Sequence, residues 1–109
     1  MTDALTSRHC VPCEGGVPAL TAGEITPLLA QLEGWAVVDG QKLRKTYRFP
    51  DFAQALAFVN RAGGVAEAEG HHPDLLLTWG KVSAEVWTHA IGGLSENDFI
   101  LAAKLDALR

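Results

Sequence analysis

From Lys81 to His89 the chain alternates strictly, with Val82, Ala84 and Val86 set against Ser83, Glu85 and Trp87. Successive side chains of an extended strand point to opposite faces, so this pattern demands a strand with one dry face and one wet face. Such a strand needs an extended neighbour for its backbone groups and a second layer to cover its dry face. The neighbours are close at hand in the sequence. Leu75 to Trp79 is another extended run, joined to the first by a tight turn at Gly80-Lys81, and Trp35 to Val38 with Lys42 to Phe49 reads as a second hairpin around Asp39-Gly40.

The covering layer comes from three helical stretches. Thr21-Ala22-Gly23-Glu24 has capping-box spacing, and Ile25, Leu28, Leu29 and Leu32 then fall on one helical face, with Gly34 as the expected stop. Asp51 can cap a second helix in which Phe52, Leu56, Val59, Ala62, Val65 and Ala66 recur at helical spacing. Gly63-Gly64 is a weak point inside it and Gly70 its natural end. Ser95-Glu96-Asn97-Asp98 repeats the capping-box spacing ahead of Phe99, Ile100, Ala103, Leu105 and Leu108. The expected order is αββαββα. That is an α+β fold, a four-stranded antiparallel sheet with three helices on one face. Residues 1–20, punctuated by proline and glycine, are expected to form a flexible arm and residues 21–109 a single domain, with no repeat or linker between them.

Length and composition narrow the classes of function. A chain of 109 residues suffices for one core without disulfides or a structural metal, and 48% hydrophobic with 20% charged residues is globular. A net charge of -4 argues against direct binding of nucleic acid through phosphate neutralisation. No apolar run approaches the roughly 20 residues needed to span a bilayer, so no membrane contact is expected. The N-terminus also lacks a basic-then-apolar secretory pattern, which makes the cytoplasm the expected location.

Polar chemistry concentrates between Glu67 and Asp98, a stretch that holds His71, His72, Pro73, Trp79, Thr88 and His89. Histidine is the side chain whose ordinary pKa lets it exchange protons near neutrality, so three of them here point to acid–base work. Glu67 and His71 are four apart across a helix end, a spacing that places a carboxylate beside an imidazole. Pro73 biases His72 toward extended geometry, so the adjacent rings diverge. His89 is expected to end the last strand, with Asp98 in the following helix within reach of a histidine nitrogen. Each residue also has an ordinary structural reading: a solvated helix carboxylate for Glu67, a cap-region acid for Asp98, a packed strand aromatic for Trp79. A metal is not expected, because H-E-x-x-H is absent and adjacent histidines on an extended segment do not chelate. Cys10 and Cys13 form a lone C-x-x-C beside His9, read as a chemically silent part of the arm with zinc or redox sensing as the other reading.

The spaced set E-x3-H-H-P-x5-W-x9-H-x8-D, running from Glu67 through His71, His72, Pro73, Trp79 and His89 to Asp98, resembles the signature of the pterin-4a-carbinolamine dehydratase family. Gly34-Trp35, Phe49-Pro50-Asp51-Phe52 and the run from Thr88 to Asp98 resemble it too, so the similarity covers Thr21 to the C-terminus. The resemblance implies dehydration of 4a-hydroxytetrahydropterin to quinonoid dihydropterin, recycling the pterin of an aromatic amino-acid hydroxylase. It further implies His71 and His89 as general acids toward the departing hydroxyl, His72 as a pterin-holding base, Glu67 as a binding or orienting group and Asp98 as the positioner of a histidine. Pro73 would shape the site and Trp79 would pack near it. No cofactor or metal is implied, and a homo-oligomer, dimer or tetramer, is expected. The alternative reading is a non-catalytic binding or assembly module of the same fold, or a molybdopterin-linked relative.

Overall fold

The computed structural model describes residues 5–10 and 18–109. Its elements run α1 (Ala22–Leu29), β1 (Ala36–Val38), β2 (Lys42–Arg48), α2 (Phe52–Glu69), β3 (Asp74–Thr78), β4 (Lys81–Val86) and α3 (Glu96–Asp106), with short 3-10 turns at Leu5–Ser7 and His89–Ile91. This is the expected α+β order. The strands form one antiparallel sheet ordered β1-β2-β4-β3, so the two hairpins meet along β2 and β4.

The alternating segment sits at the centre of that sheet. Val82, Ala84 and Val86 have no exposed surface, and their cross-strand partners Tyr47, Leu75, Leu77 and Leu43 share the same inner face. The α2 residues Ala55, Phe58, Ala62 and Ala66 pack on this face, and α3 buries Phe99, Ile100, Leu101, Ala102 and Leu105. The Phe58 ring lies 4.6 Å from Tyr47 and 5.3 Å from Phe49, which fastens α2 across β2. Asp106, at the end of α3, accepts hydrogen bonds from Trp35 Nε1 (3.0 Å), Lys45 Nζ (2.9 Å) and the Tyr47 hydroxyl (2.5 Å). One carboxylate therefore ties α3 to β2 and to the residue preceding β1.

Local signals explain the boundaries. Asp39 and Gly40 both take positive φ (54° and 68°), the sign required by the twist of a tight hairpin. Gly70 closes α2 in the left-handed region, with its N–H and that of His71 both returning to the Ala66 carbonyl. The structure corrects several expectations. The α1 helix ends at Leu29, short of Gly34, where the N–H groups of Gln31 and Leu32 bond three residues back and tighten the chain into turns. The glycine pair in α2 causes no break, since the helix is anchored on both sides of it by Phe58, Ala62 and Ala66. Phe52 and Leu56, assigned to the buried stripe by periodicity, are 43% and 40% exposed, because the face built on Ala55 and Phe58 is the one turned to the sheet. The last strand stops at Val86. Thr88 and Gly93 pair across a small loop, N–H of Thr88 to O of Gly93 at 2.9 Å, and this lifts His89 out of the sheet into a 3-10 turn.

The described part of the arm packs against the body. Leu5 is 3% exposed within the core, and Arg8 pairs with Glu96 at the start of α3. A Phe58→Ala variant should lose about 3–5 kcal/mol of unfolding free energy, the usual cost of removing a fully buried aromatic ring. Urea titration followed by circular dichroism checks this.

Candidate active site

The turn after α2, the end of β4 and the start of α3 converge on one cleft of about 260 Å³, lined by Gly70, His71, His72, Trp87, Thr88, His89 and Ala90. Three of the four histidines of the chain line it. The left-handed turn at Gly70 swings His71 back under the helix end, where its side chain is 13% exposed. His72, one residue on, faces solvent at 62%. Pro73 follows and leads straight into β3, so the two rings diverge as extended backbone requires.

His71 has a defined partner. Its Nε2 lies 2.6 Å from Oδ1 of Asp98, which has no exposed surface. The other carboxylate oxygen, Oδ2, accepts from the Ser95 N–H (2.8 Å) and the Thr88 hydroxyl (2.9 Å). A carboxylate taking two donors on one oxygen is an acceptor on the other as well, so His71 Nε2 carries the proton and Nδ1 remains for exchange with a ligand. The donors come from the α3 cap and from the residue beside His89, so a single buried group holds both walls of the cleft. The capping box that signalled α3 in the sequence is part of the site: Asp98 is its third helical residue.

Glu67 is placed differently from the sequence expectation. It approaches His72 Nε2 at 3.7 Å rather than His71, and both groups are well exposed at 83% and 62%. The reversal at Gly70 carries His71 away from the helical i, i+4 position and brings His72 round to it. A pair this exposed contributes little to stability. Trp79 is not at this cleft. It occupies the turn between β3 and β4, 69% exposed, and the extended β3 lying between it and Pro73 separates the two by roughly 20 Å. Trp87 and Ala90 line the cleft without having been singled out as site residues. The signal for Trp87 was present, since alternation put this large aromatic on the wet face one residue before Thr88-His89.

The arm reaches the back of the site. Glu69, two residues before His71, accepts the Cys10 N–H at 2.8 Å and lies 3.0 Å from His9 Nδ1, with Lys104 Nζ at 3.5 Å. Cys10 Sγ donates to the carbonyl of Asn97, next to Asp98, at 3.6 Å. The backbone hydrogen bond from Cys10, followed by the side-chain hydrogen bond with His9, holds the Glu69 carboxyl at about 2 against an ordinary 4.5. Burial and then the Glu69 charge push the Cys10 thiol up to about 12, which keeps it protonated and a poor nucleophile at neutral pH. Cys13 lies outside the described residues. Among the described residues, no group of three or more His, Cys, Asp or Glu side chains is placed to hold a metal ion, and no helix is long and apolar enough to cross a membrane.

Residues 18–108 match the family profile described as pterin 4 alpha carbinolamine dehydratase. A Rickettsia bellii protein provisionally named a pterin-4-alpha-carbinolamine dehydratase is 50% identical over 110 aligned residues, covering 100% of this chain and 97% of the relative. A Chlorobium limicola protein with the same provisional name is 55% identical, with 95% of each chain covered. Among solved structures, one from Brucella melitensis described as a transcriptional coactivator/pterin dehydratase superposes with a TM-score of 0.78. It is 33% identical, and the match covers 83% of this chain and 97% of that one.

The depressed Glu69 value fixes the sign of one pH effect. Its contribution to stability is complete above about 4.5 and is lost as pH falls through about 2. Wild-type protein should therefore lose unfolding free energy across that window, and Glu69→Gln should lose measurably less when urea unfolding is compared at pH 6 and pH 3.

Proposed function

The chain belongs to the pterin 4 alpha carbinolamine dehydratase family, and on that premise we propose that it converts 4a-hydroxytetrahydropterin to quinonoid dihydropterin and water by histidine acid–base catalysis. The observation that carries this reading is the cleft lined by three imidazoles, one of them held by a buried carboxylate. The reaction needs groups of this kind. The C4a–O bond breaks with its electron pair going to oxygen, a delivered proton completes the departing water, the N5 lone pair closes the new double bond, and a proton leaves the ring.

In this reading His71 and His89 deliver the proton to the hydroxyl, with Asp98 fixing the ring of the first. His72, exposed at the mouth, holds the pterin and takes up the ring proton, and Glu67 orients it. Pro73 sets the divergence of the two rings. Each well-placed acid or base contributes roughly 10²- to 10⁴-fold in rate. The carbinolamine would come from an aromatic amino-acid hydroxylase, and the dihydropterin would pass to a reductase. The coactivator description of the Brucella structure keeps a binding role in view, and catalysis separates the two. A scaffold has no need of His71 turned into a cleft on a buried carboxylate.

A homo-oligomer is part of the same proposal. β1 and β3 are edge strands, β3 carries Leu76 at 63% exposure, and Phe52 and Leu56 on α2 are exposed as well. Light scattering at micromolar concentration should give a multiple of the 11.7 kDa chain mass, and a monomer mass would contradict it.

His71→Ala and His89→Ala should each lower the rate of quinonoid dihydropterin formation by about 10²-fold or more, while circular dichroism stays unchanged. The reaction is followed from enzymatically generated carbinolamine, with and without EDTA. A folded wild-type protein no faster than the spontaneous reaction would sink the proposal.

A further inference from the structure

The three histidines of the cleft are oriented in three different ways. His71 is held by Asp98 and His72 stands near Glu67. Among the described residues, the His89 ring has neither a hydrogen-bond nor an ion-pair partner. Its contact is with Trp87, whose ring lies 4.2 Å away and only 13° from parallel. We infer that Trp87 is a positioning residue for the pterin reaction, acting through His89 by fixing the plane of its imidazole in the cleft.

Strand geometry explains why a tryptophan can do this. Val86 points inward, so Trp87 falls on the outer face of the sheet just where the chain leaves β4 for the loop closed by Thr88 and Gly93. That loop turns back immediately, and the ring two residues on comes to lie over the indole. Lys42 is the cross-strand neighbour one step beyond the Leu43–Val86 pair, and its Nζ sits 4.2 Å from the Trp87 ring. Cation–π contact with this lysine restrains the indole in turn. A histidine on an exposed 3-10 turn otherwise rotates among several side-chain conformers, and most of them do not aim a ring nitrogen at a bound ligand. A misplacement of about 1 Å in such a group can cost on the order of 10²-fold in rate.

The inference rests on the dehydratase reading of the cleft, so its test has one readout that needs turnover and one that does not. Trp87→Leu should lower kcat about 10- to 100-fold with a smaller change in KM, and Trp87→Phe, which restores a flat ring, should recover most of the loss. In a His89→Ala background Trp87→Leu should have no further effect on kcat, because the residue through which it acts is gone. A full additional loss in that background would overturn the inference, as would a wild-type kcat in folded Trp87→Leu protein. Independently, the His89 ring protons of the wild type should resonate upfield from indole ring current in the proton NMR spectrum and return to ordinary positions in Trp87→Leu. Unshifted His89 protons in the wild type would overturn it too. Wild-type protein without turnover would contradict the dehydratase reading, and the ring-current shift would then decide the orienting contact alone.

Discussion

A carboxylate removed from water is tolerated only when its oxygens are hydrogen-bonded, and Asp98 has no exposed surface. Its donors come from three places in the chain: His71 after α2, Thr88 after β4, and the backbone of Ser95 at the α3 cap. Satisfying this one group requires all three segments to meet, and their meeting is the cleft. Removing a partner from such a pair typically costs several kcal/mol, because a buried charge is left uncompensated. The position of the site is therefore coupled to the packing of α3 on the sheet, which Asp106 secures at the other end of the same helix through Trp35, Lys45 and Tyr47.

The same arrangement divides labour among the imidazoles. His71 is nearly enclosed and its tautomer is set by Asp98, whereas His72 is open to solvent beside an equally open Glu67. His89 lies on a turn that leaves it exposed and depends on a stacked ring for its orientation. Rings in such different settings suit the separate tasks that the proposed dehydration would set them, handing a proton to a leaving hydroxyl and accepting one from the pterin ring. The arm adds support from behind. Through Cys10 it joins Glu69 to the backbone of Asn97, and these residues flank His71 and Asp98 in the chain.

Much of this was legible in the sequence, for physical reasons that differ by element. Strict alternation revealed β4, and cap spacing revealed the starts of α1 and α3, because strand period and backbone capping are local. The grouping of Glu67, His71, His72, His89 and Asp98 was visible as a spaced pattern. That Asp98 would reach a histidine was legible too, but the partner of Glu67 was not, since the reversal at Gly70 exchanges which histidine faces it. Phe52 and Leu56 misled because helical periodicity gives a face without saying which apolar face meets the sheet. His89 was assigned to a strand end because the Thr88–Gly93 pairing that lifts it out is a contact between residues, and no propensity encodes it. Trp79 is at the right spacing in sequence but at the far end of β3 in space. Docking of Leu5 to Cys10 was hidden too, as a proline- and glycine-punctuated arm gives no periodic signal of what it packs against.

The measurement that tests the account most directly is the turnover of Asp98→Asn, an isosteric change that removes the charge and presents a donor where an acceptor stood. With the amide oxygen kept toward Ser95 and Thr88, its nitrogen faces His71 Nε2 as a donor, so Nε2 can no longer hold a proton there and the doubly protonated ring that would deliver one from Nδ1 loses its carboxylate partner. The account predicts a folded protein whose dehydration rate falls by about 10²- to 10⁴-fold. Retention of the wild-type rate by folded Asp98→Asn would contradict it, because the carboxylate that organises the cleft would then play no part in its chemistry.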